Sequence, residues 1–579
     1  MARNELTRNS QTENFPFSSA LTRDSASGSH PGGHRAPASA GVRATTAALT
    51  PADATGFLPT AQNDGSQGAE FRLSPTGIAW VIMLGMNIIL LVADTFRYDN
   101  LAAQASRLGT PAARVRTPNL DAFARRAVSL SRMYVSSFPT IPHRTDLTTG
   151  RYGWPWYGWQ DRRQSGTNHM PQILGQAGYV SQLLCDCPHL FNAGFQFGFH
   201  AATTIRGQEA DIPLLHMNDP IQHVMPAEKT RTGRHFQGRN LPDLSAWTNF
   251  DWRGEDDRFP PRTAALAAEW LERNYRFHPL LLWVDFFDPH EPWNPPEYMV
   301  RKYDPDYRGT PMIHPNYGHA RDLTAAELRN LRAHYCAEAE LVDRWVGRVL
   351  QKIDDLDLWD NSIVVFTTDH GMSLGEHDRT GKSNINDRDR RRWPIYPEIA
   401  HIPLLVAAPG LKGGRTVDAL LQPVDILPTL IDLAGVEAEA QPPEPFHGRS
   451  FAPLLRGRRV KPVRDLAISA SFLRATDGGI AEKAVTPAVY ADRWAYVPIG
   501  PEGRPELFDL RTDPYAKKNV IRQHAPVARE LHNKMIAWLE ELGAPPEAAA
   551  VFRAAPPAAA ARPAPGARAR RSASKGPDW

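Results

Sequence analysis

Five short runs of nearly unbroken apolar residues, many of them β-branched or aromatic, recur through the middle of this chain and decide most of what it can fold into. They are 87–93 (NIILLVA), 179–184 (YVSQLL), 280–287 (LLLWVDFF), 362–368 (SIVVFTT) and 403–407 (PLLVA). A strand with one wet face alternates apolar with polar, whereas a run without alternation belongs to a strand buried on both faces. Amphipathic helical segments lie between the runs. The clearest covers roughly 325–354, where Thr324 and Glu327 form a capping box. Leu328, Leu331, Tyr335, Val342, Trp345, Val346, Val349 and Ile353 then recur at helical spacing. Strand alternating with helix predicts an α/β fold with a mixed, mainly parallel central sheet flanked by helices. From about residue 456 the strands shorten (AVYADRW, ELFDL) and lead to one helix over roughly 526–542, which reads as a smaller α+β subdomain.

Composition sorts the ends from the fold. The first 75 residues are rich in Ser, Thr, Gly, Ala and Pro without periodicity, and the last thirty-odd in Ala, Pro and Arg. Residues 1–75 therefore read as a disordered N-terminal extension and 546–579 as a disordered Ala/Pro/Arg-rich tail. Between them lie an α/β domain over 86–455 and the C-terminal subdomain over 456–545. A net charge of +3 on 579 residues implies no strong pull towards nucleic acid or a membrane surface. Three cysteines make no disulfide framework, and Cys185-x-Cys187 lacks the spacing of a zinc or redox pair. With no early apolar segment at the N-terminus, the expected setting is a reducing, cytoplasmic one. The stretch 77–93 approaches the length of a membrane span, but its second half ends in an acid and reads as a buried strand. No membrane or nucleic-acid partner is expected; a homo-oligomer is compatible with the sequence.

Open α/β sheets bind ligands beyond the carboxyl ends of their strands. Asp94 ends the first run, Asp285, Asp288 and His290 close or follow the third, and Asp369-His370 end the fourth. One acid after a strand is often a turn or cap, but three strands delivering acids and histidines to one edge suit a divalent ion. The segment 137–151 (SFPTIPHRTDLTTGR) places Thr140 just before Pro142, at a helix start where free N–H groups favour an anion. Arg144, one turn on, suits a two-pronged clamp on a tetrahedral oxyanion, although a cap and a surface ion pair are the blander reading of both residues. Asp186, Cys187 and His189 follow the second run, and the aromatic run 154–159 (WPWYGW) offers either a pocket wall or a packed loop.

Taken in order, further segments match a known pattern. They are VADTFRYDNL (92–101), TPNLDAFARRAV (117–128), Thr140-Ile-Pro-His-Arg144, LTTGRY (147–152), FFDPHEPW (286–293), TTDHGMSLGEH (367–377), Gly381-Lys382, PVDILPTLIDLAG (423–435), HGRS (447–450) and ELFDLRTDP (506–514). Over roughly 86–520 the chain resembles the sulfatase family of the alkaline phosphatase superfamily, which also holds phosphodiesterases and phosphonate monoester hydrolases. The resemblance implies an alkaline phosphatase/sulfatase-like catalytic domain over 86–455. It implies Asp94, Asp369 and His370 as ligands of one divalent ion (Mn²⁺, Zn²⁺, Ca²⁺ or Mg²⁺), with the nucleophile Thr140 also on the metal. Arg144 and Lys382 would hold the nucleophile and the non-bridging oxygens, and His290 would help the leaving group depart. Thr95, Glu376 and His377 are supporting candidates.

Two departures shape the expected chemistry. Thr95 stands where the family pattern has a second acid, so less metal charge is neutralised. Thr140 stands where the pattern has Cys or Ser, so formylglycine is not expected. A formylglycine hydrate has two hydroxyls, one to attack and one to expel the bound group; threonine has one, so an incoming water must cleave its covalent intermediate. The expectation is a metal-dependent hydrolase of a small-molecule sulfuric or phosphoric ester, with a phosphodiester or phosphonate monoester narrowly favoured. The alternative is a catalytically degenerate relative that binds metal or an anion without turnover.

Overall fold

The computed structural model describes residues 85–108, 114–160, 169–232, 238–436, 444–471, 475–476, 479–480 and 484–553. The extension expected over 1–75 lies outside them, as does the tail from 554 onwards. The core is a nine-stranded sheet. Its first strands in chain order are β1 (Asn87–Ala93), β2 (Val128–Tyr134), β3 (Val180–Cys185), β4 (Ala201–Thr204), β5 (Leu280–Phe286) and β6 (Ser362–Thr367). Across the sheet the order is His401–Ile402, β2, Leu404–Ala407, β6, β1, β5, β3, β4, with Arg415–Leu421 also paired to β2. β6, β1, β5, β3 and β4 run parallel. Leu404–Ala407 is antiparallel to both β2 and β6. The fold is the mixed, mainly parallel α/β architecture expected.

Burial explains the unbroken runs. In β1, Ile88, Leu90 and Val92 pack into the core on one face. Ile89, Leu91 and Ala93 pack into the core on the other. The helix Ala325–Asp355, capped by Thr324 and Glu327 as expected, covers the second face with Leu331, Tyr335, Val342, Val346 and Val349. Ile426, Leu427, Leu430 and Ile431 of the helix Ile426–Ala434 cover the first. Residues 87–93, the strand half of the candidate membrane stretch, are β1 itself. Among the described residues no helix is long and apolar enough to cross a membrane.

The C-terminal part is a four-stranded antiparallel sheet of Ala467–Ser469, Ala488–Ala491, Trp494–Val497 and Glu506–Asp509. The helix Ala525–Glu541 packs on it through Leu531, Met535 and Leu539. The tail expected from 546 corrects by one element: Pro546–Arg553 is a helix, because Ala549 and Phe552 are buried in the same small core. Trp154 belongs to this core too and stacks on Trp538, so the first part of the aromatic run is packed loop. Its last member, Trp159, is half exposed and meets His189 edge-on.

Candidate active site

β1 lies between β5 and β6, and the register sets their carboxyl ends level, with Val92 opposite both Asp285 and Thr367. The residues just beyond those ends therefore meet. One oxygen of Asp94, one oxygen of Asp369 and one ring nitrogen of His370 all lie within 4.8 Å of one another. All three residues are fully buried. His370 Nδ1–H donates to the Gly371 carbonyl at 3.0 Å, which leaves Nε2 with its lone pair, buried and without a hydrogen-bond partner. Burial pushes the imidazole down to about 4, so it is neutral near neutrality, the form that ligates metal. Two carboxylates and an unpartnered imidazole nitrogen fit a divalent ion such as Mn²⁺ or Zn²⁺.

Thr95 supports both acids. Its hydroxyl donates to Asp94 at 2.6 Å and its backbone N–H to Asp369 at 3.0 Å. It does so at φ +60, a left-handed conformation that costs a β-branched residue of order 1–3 kcal/mol and that surrounding contacts must hold in place. Asp94 is pushed up, by burial first and then by the Asp369 charge. Asp369 is held well below the usual range despite burial, by His370 and then Arg144.

The helix Thr140–Thr149 is buried along its whole length, and Gly150 ends it at φ +66, the stop expected. Thr140 is its first residue. Arg144 sits one turn on, but its fork does not face an open anion pocket as expected. Nε and Nη2 donate to the two oxygens of Asp285 at 2.9 and 2.8 Å. Nη1 donates to Asp94 at 3.1 Å, to Asp369 at 2.8 Å and to the Thr140 carbonyl at 3.4 Å. One guanidinium nitrogen thus joins the candidate nucleophile's backbone to both acids. Three buried carboxylates around one cation explain the geometry: the paired Arg144 offsets charges that burial alone would make very costly.

Other residues meet the expectations unevenly. His290 lies flat against Phe287, ring centroids 4.1 Å apart. Its Nδ1–H donates to the Glu291 carbonyl at 2.6 Å. Lys382 follows the hairpin of β7 (Ser373–Leu374) and β8 (Thr380–Gly381), with Nζ 3.4 Å from Glu291. Its charge lowers the proton affinity of both Asp94 and His370. His377 stacks on Tyr396 and meets the Tyr515 carbonyl, tying the hairpin to the C-terminal part rather than touching the trio. Glu376 is taken up by Arg97. Asp186 accepts from Thr263 and the Phe287 N–H, and Asp288 accepts from Gln208, so both acids hold loops. His189 pairs with Glu209.

Sequence reading missed three members. Asp285 was noticed only as a strand-closing acid, yet it fixes the Arg144 fork. Glu291 and His143 were not singled out. His143, fully buried with neither ring nitrogen partnered, is pushed down to about 3 by burial. Its place one residue before Arg144 was the available signal.

Comparison with known proteins settles the family. The sulfatase family model matches residues 86–436. The chain belongs to the sulfatase family. A second model, the C-terminal region of N-sulphoglucosamine sulphohydrolase, matches 388–542. Arylsulfatase K of Xenopus laevis is 23% identical over 483 residues, covering 78% of this chain and 81% of that protein. An endo-4-O-sulfatase of Bacteroides thetaiotaomicron is 26% identical, covering 79% and 92%. The crystal structure of a phosphonate monoester hydrolase of Agrobacterium radiobacter shares the fold at TM-score 0.58 and 23% identity, covering 79% of this chain and 96% of that one. This sulfatase-family chain is an ester-hydrolysing enzyme of a divalent-metal-dependent family.

The glycine after His370 is a sharp test of how the ligand is held. A Cβ on Gly371 would lie 2.2 Å from the Glu398 carbonyl oxygen, so the loop would have to move. Gly371→Ala is expected to weaken Mn²⁺ or Zn²⁺ binding about 10- to 100-fold, measured by calorimetry. Unchanged affinity would mean that the loop yields without disturbing His370.

Proposed function

We propose that this sulfatase-family enzyme uses Thr140 as a metal-supported nucleophile to cleave a phosphoric or sulfuric ester, with a phosphodiester or phosphonate monoester favoured. The observation that supports this is the Arg144 nitrogen shared by the Thr140 carbonyl, Asp94 and Asp369, which ties the first residue of this helix to the two acids of the metal-ligand trio. Asp94, Asp369 and His370, with Thr140, would hold the ion, which supplies charge neutralisation and a lowered hydroxyl pKa. Thr140 Oγ attacks the phosphorus or sulfur, the ester's alcohol departs on the His290 side, and a water cleaves the resulting threonine ester. Helix N–H groups at Thr140 and the Lys382 ammonium stabilise the oxygens of the transition state. Arg144, locked by Asp285, keeps the helix start and the two acids in register. The three free cysteines are all buried, which supports a reducing compartment as the setting.

A phosphoryl preference follows from the single hydroxyl, since the self-expelling route open to an aldehyde hydrate is missing. The test is purified full-length protein with Mn²⁺ or Zn²⁺ against bis-nitrophenyl phosphate, a phenylphosphonate ester, nitrophenyl phosphate and nitrophenyl sulfate. We expect kcat/KM on the diester or phosphonate to exceed that on the sulfate by about tenfold or more. A reversed order would overturn the phosphoryl preference. Tight metal binding without turnover of any ester would favour a binding-only protein.

A further inference from the structure

We propose that Glu291 is the positioning residue of the leaving-group side, holding the Lys382 ammonium and the His290 ring on the oxygen that departs; this rests on the functional reading above. Glu291 is 1% exposed and comes directly after His290, at the end of the loop that follows β5. Its carboxylate lies 3.4 and 3.5 Å from Lys382 Nζ. It also accepts from the Tyr317 hydroxyl and lies 3.6 Å from His290 Nδ1. Despite burial the carboxyl is held down at about 2, chiefly by His290 and then Lys382, so it stays ionised.

The surroundings are built to hold it there. Tyr317 sits at φ +53 and Gly381, next to Lys382, at φ +108. A Cβ on Gly381 would meet the Tyr317 ring at 3.0 Å and its Cα at 3.2 Å. Asn316 fastens the two loops: its side-chain oxygen accepts from the Thr380 hydroxyl at 2.7 Å and the Gly318 N–H at 2.9 Å. Two left-handed residues in contact, one of them a tyrosine, are a costly way to place one hydroxyl on one carboxylate. A buried ion pair is also weak stabilisation, since an apolar pair of similar size would serve the loops as well. What a carboxylate adds is direction. Lys382 is a point charge on a flexible stem with rotatable donors, and Glu291 fixes its head. His290, flat on Phe287 and tied at Nδ1 to the Glu291 backbone, is left with Nε2 as its outward atom. The ionised Glu291 carboxylate, 3.6 Å from Nδ1, favours a second proton on His290; the ring then donates Nε2–H to the departing oxygen while the Lys382 ammonium faces it, so both offset the negative charge that builds there.

The role predicts a split by leaving group, because nitrophenolate departs unaided and an alkoxide does not. With metal-loaded full-length protein, Glu291→Gln is expected to lower kcat about 100-fold on an ethyl ester and about threefold on the 4-nitrophenyl ester of the same acid. Tyr317→Phe should show the same split at smaller size, which keeps the test open if Glu291→Gln folds poorly. Metal affinity by calorimetry should stay within about twofold. An equal loss on both esters, or a parallel loss of metal affinity, would reduce Glu291 to a structural residue and overturn the proposal while wild-type turnover still upheld the functional reading. Wild-type protein that turns over neither ester would overturn both.

Discussion

Thr140→Ala is expected to lower kcat by about 10⁴-fold or more, because it removes the nucleophile rather than a group that assists it. Thr140→Ser, which keeps the hydroxyl, should remain within about tenfold of wild type. The pair of variants separates attack by this side chain from attack by a water, since a water would survive the loss of one hydroxyl. Mass spectrometry of the trapped intermediate should find the added phosphoryl or sulfuryl group on the peptide containing Thr140. Alanine at 140 retaining most of the activity would remove the proposed mechanism even if every ester in the panel were hydrolysed.

Arg144→Leu is expected to destabilise the metal-free protein by about 3–5 kcal/mol, measured by urea unfolding in chelator. The cause is electrostatic. Asp94, Asp285 and Asp369 are all fully buried and all paired to this one guanidinium. Without it, carboxylates with no access to water must take up protons or remain unpaired. Saturating Mn²⁺ or Zn²⁺ should recover part of the loss, because the ion neutralises Asp94 and Asp369 but not Asp285. Arg144→Lys should recover less than its charge suggests, since one ammonium cannot span both Asp285 oxygens and also reach the other acids. A metal-independent loss below about 1 kcal/mol would show that the three acids tolerate burial by other means.

The sheet was legible where burial is two-sided. β1, β5 and β6 announce themselves because every position faces one core or the other. β2 (VSLSRMY) was not read as a strand, since Ser131 and Arg132 interrupt the apolar pattern; both reach Asp418 on the neighbouring strand. The antiparallel insertion of Leu404–Ala407 between β2 and β6 has no local signature, because strand direction is fixed by the path of the whole chain. Pro546–Arg553 was hidden by composition: Ala- and Pro-rich sequence looks like tail until Phe552 is seen to have a core to enter. For the site, Asp94, Asp369 and His370 were readable as residues at strand ends. Glu291 was not, because its meaning comes from Tyr317 and Lys382, which loops far apart in sequence bring to it.

The position of β1 carries a consequence for synthesis. Among the described residues it is the earliest strand, yet its two flanking partners, β5 and β6, leave the ribosome about 190 and 275 residues later, judged from the paired positions. Until then both edges of a ribbon that is apolar from Ile88 to Ala93 stand open on the nascent polypeptide, an invitation to wrong pairing. A chaperone, or slow and cool expression, should therefore govern how much native enzyme a cell accumulates more than any property of the finished active centre.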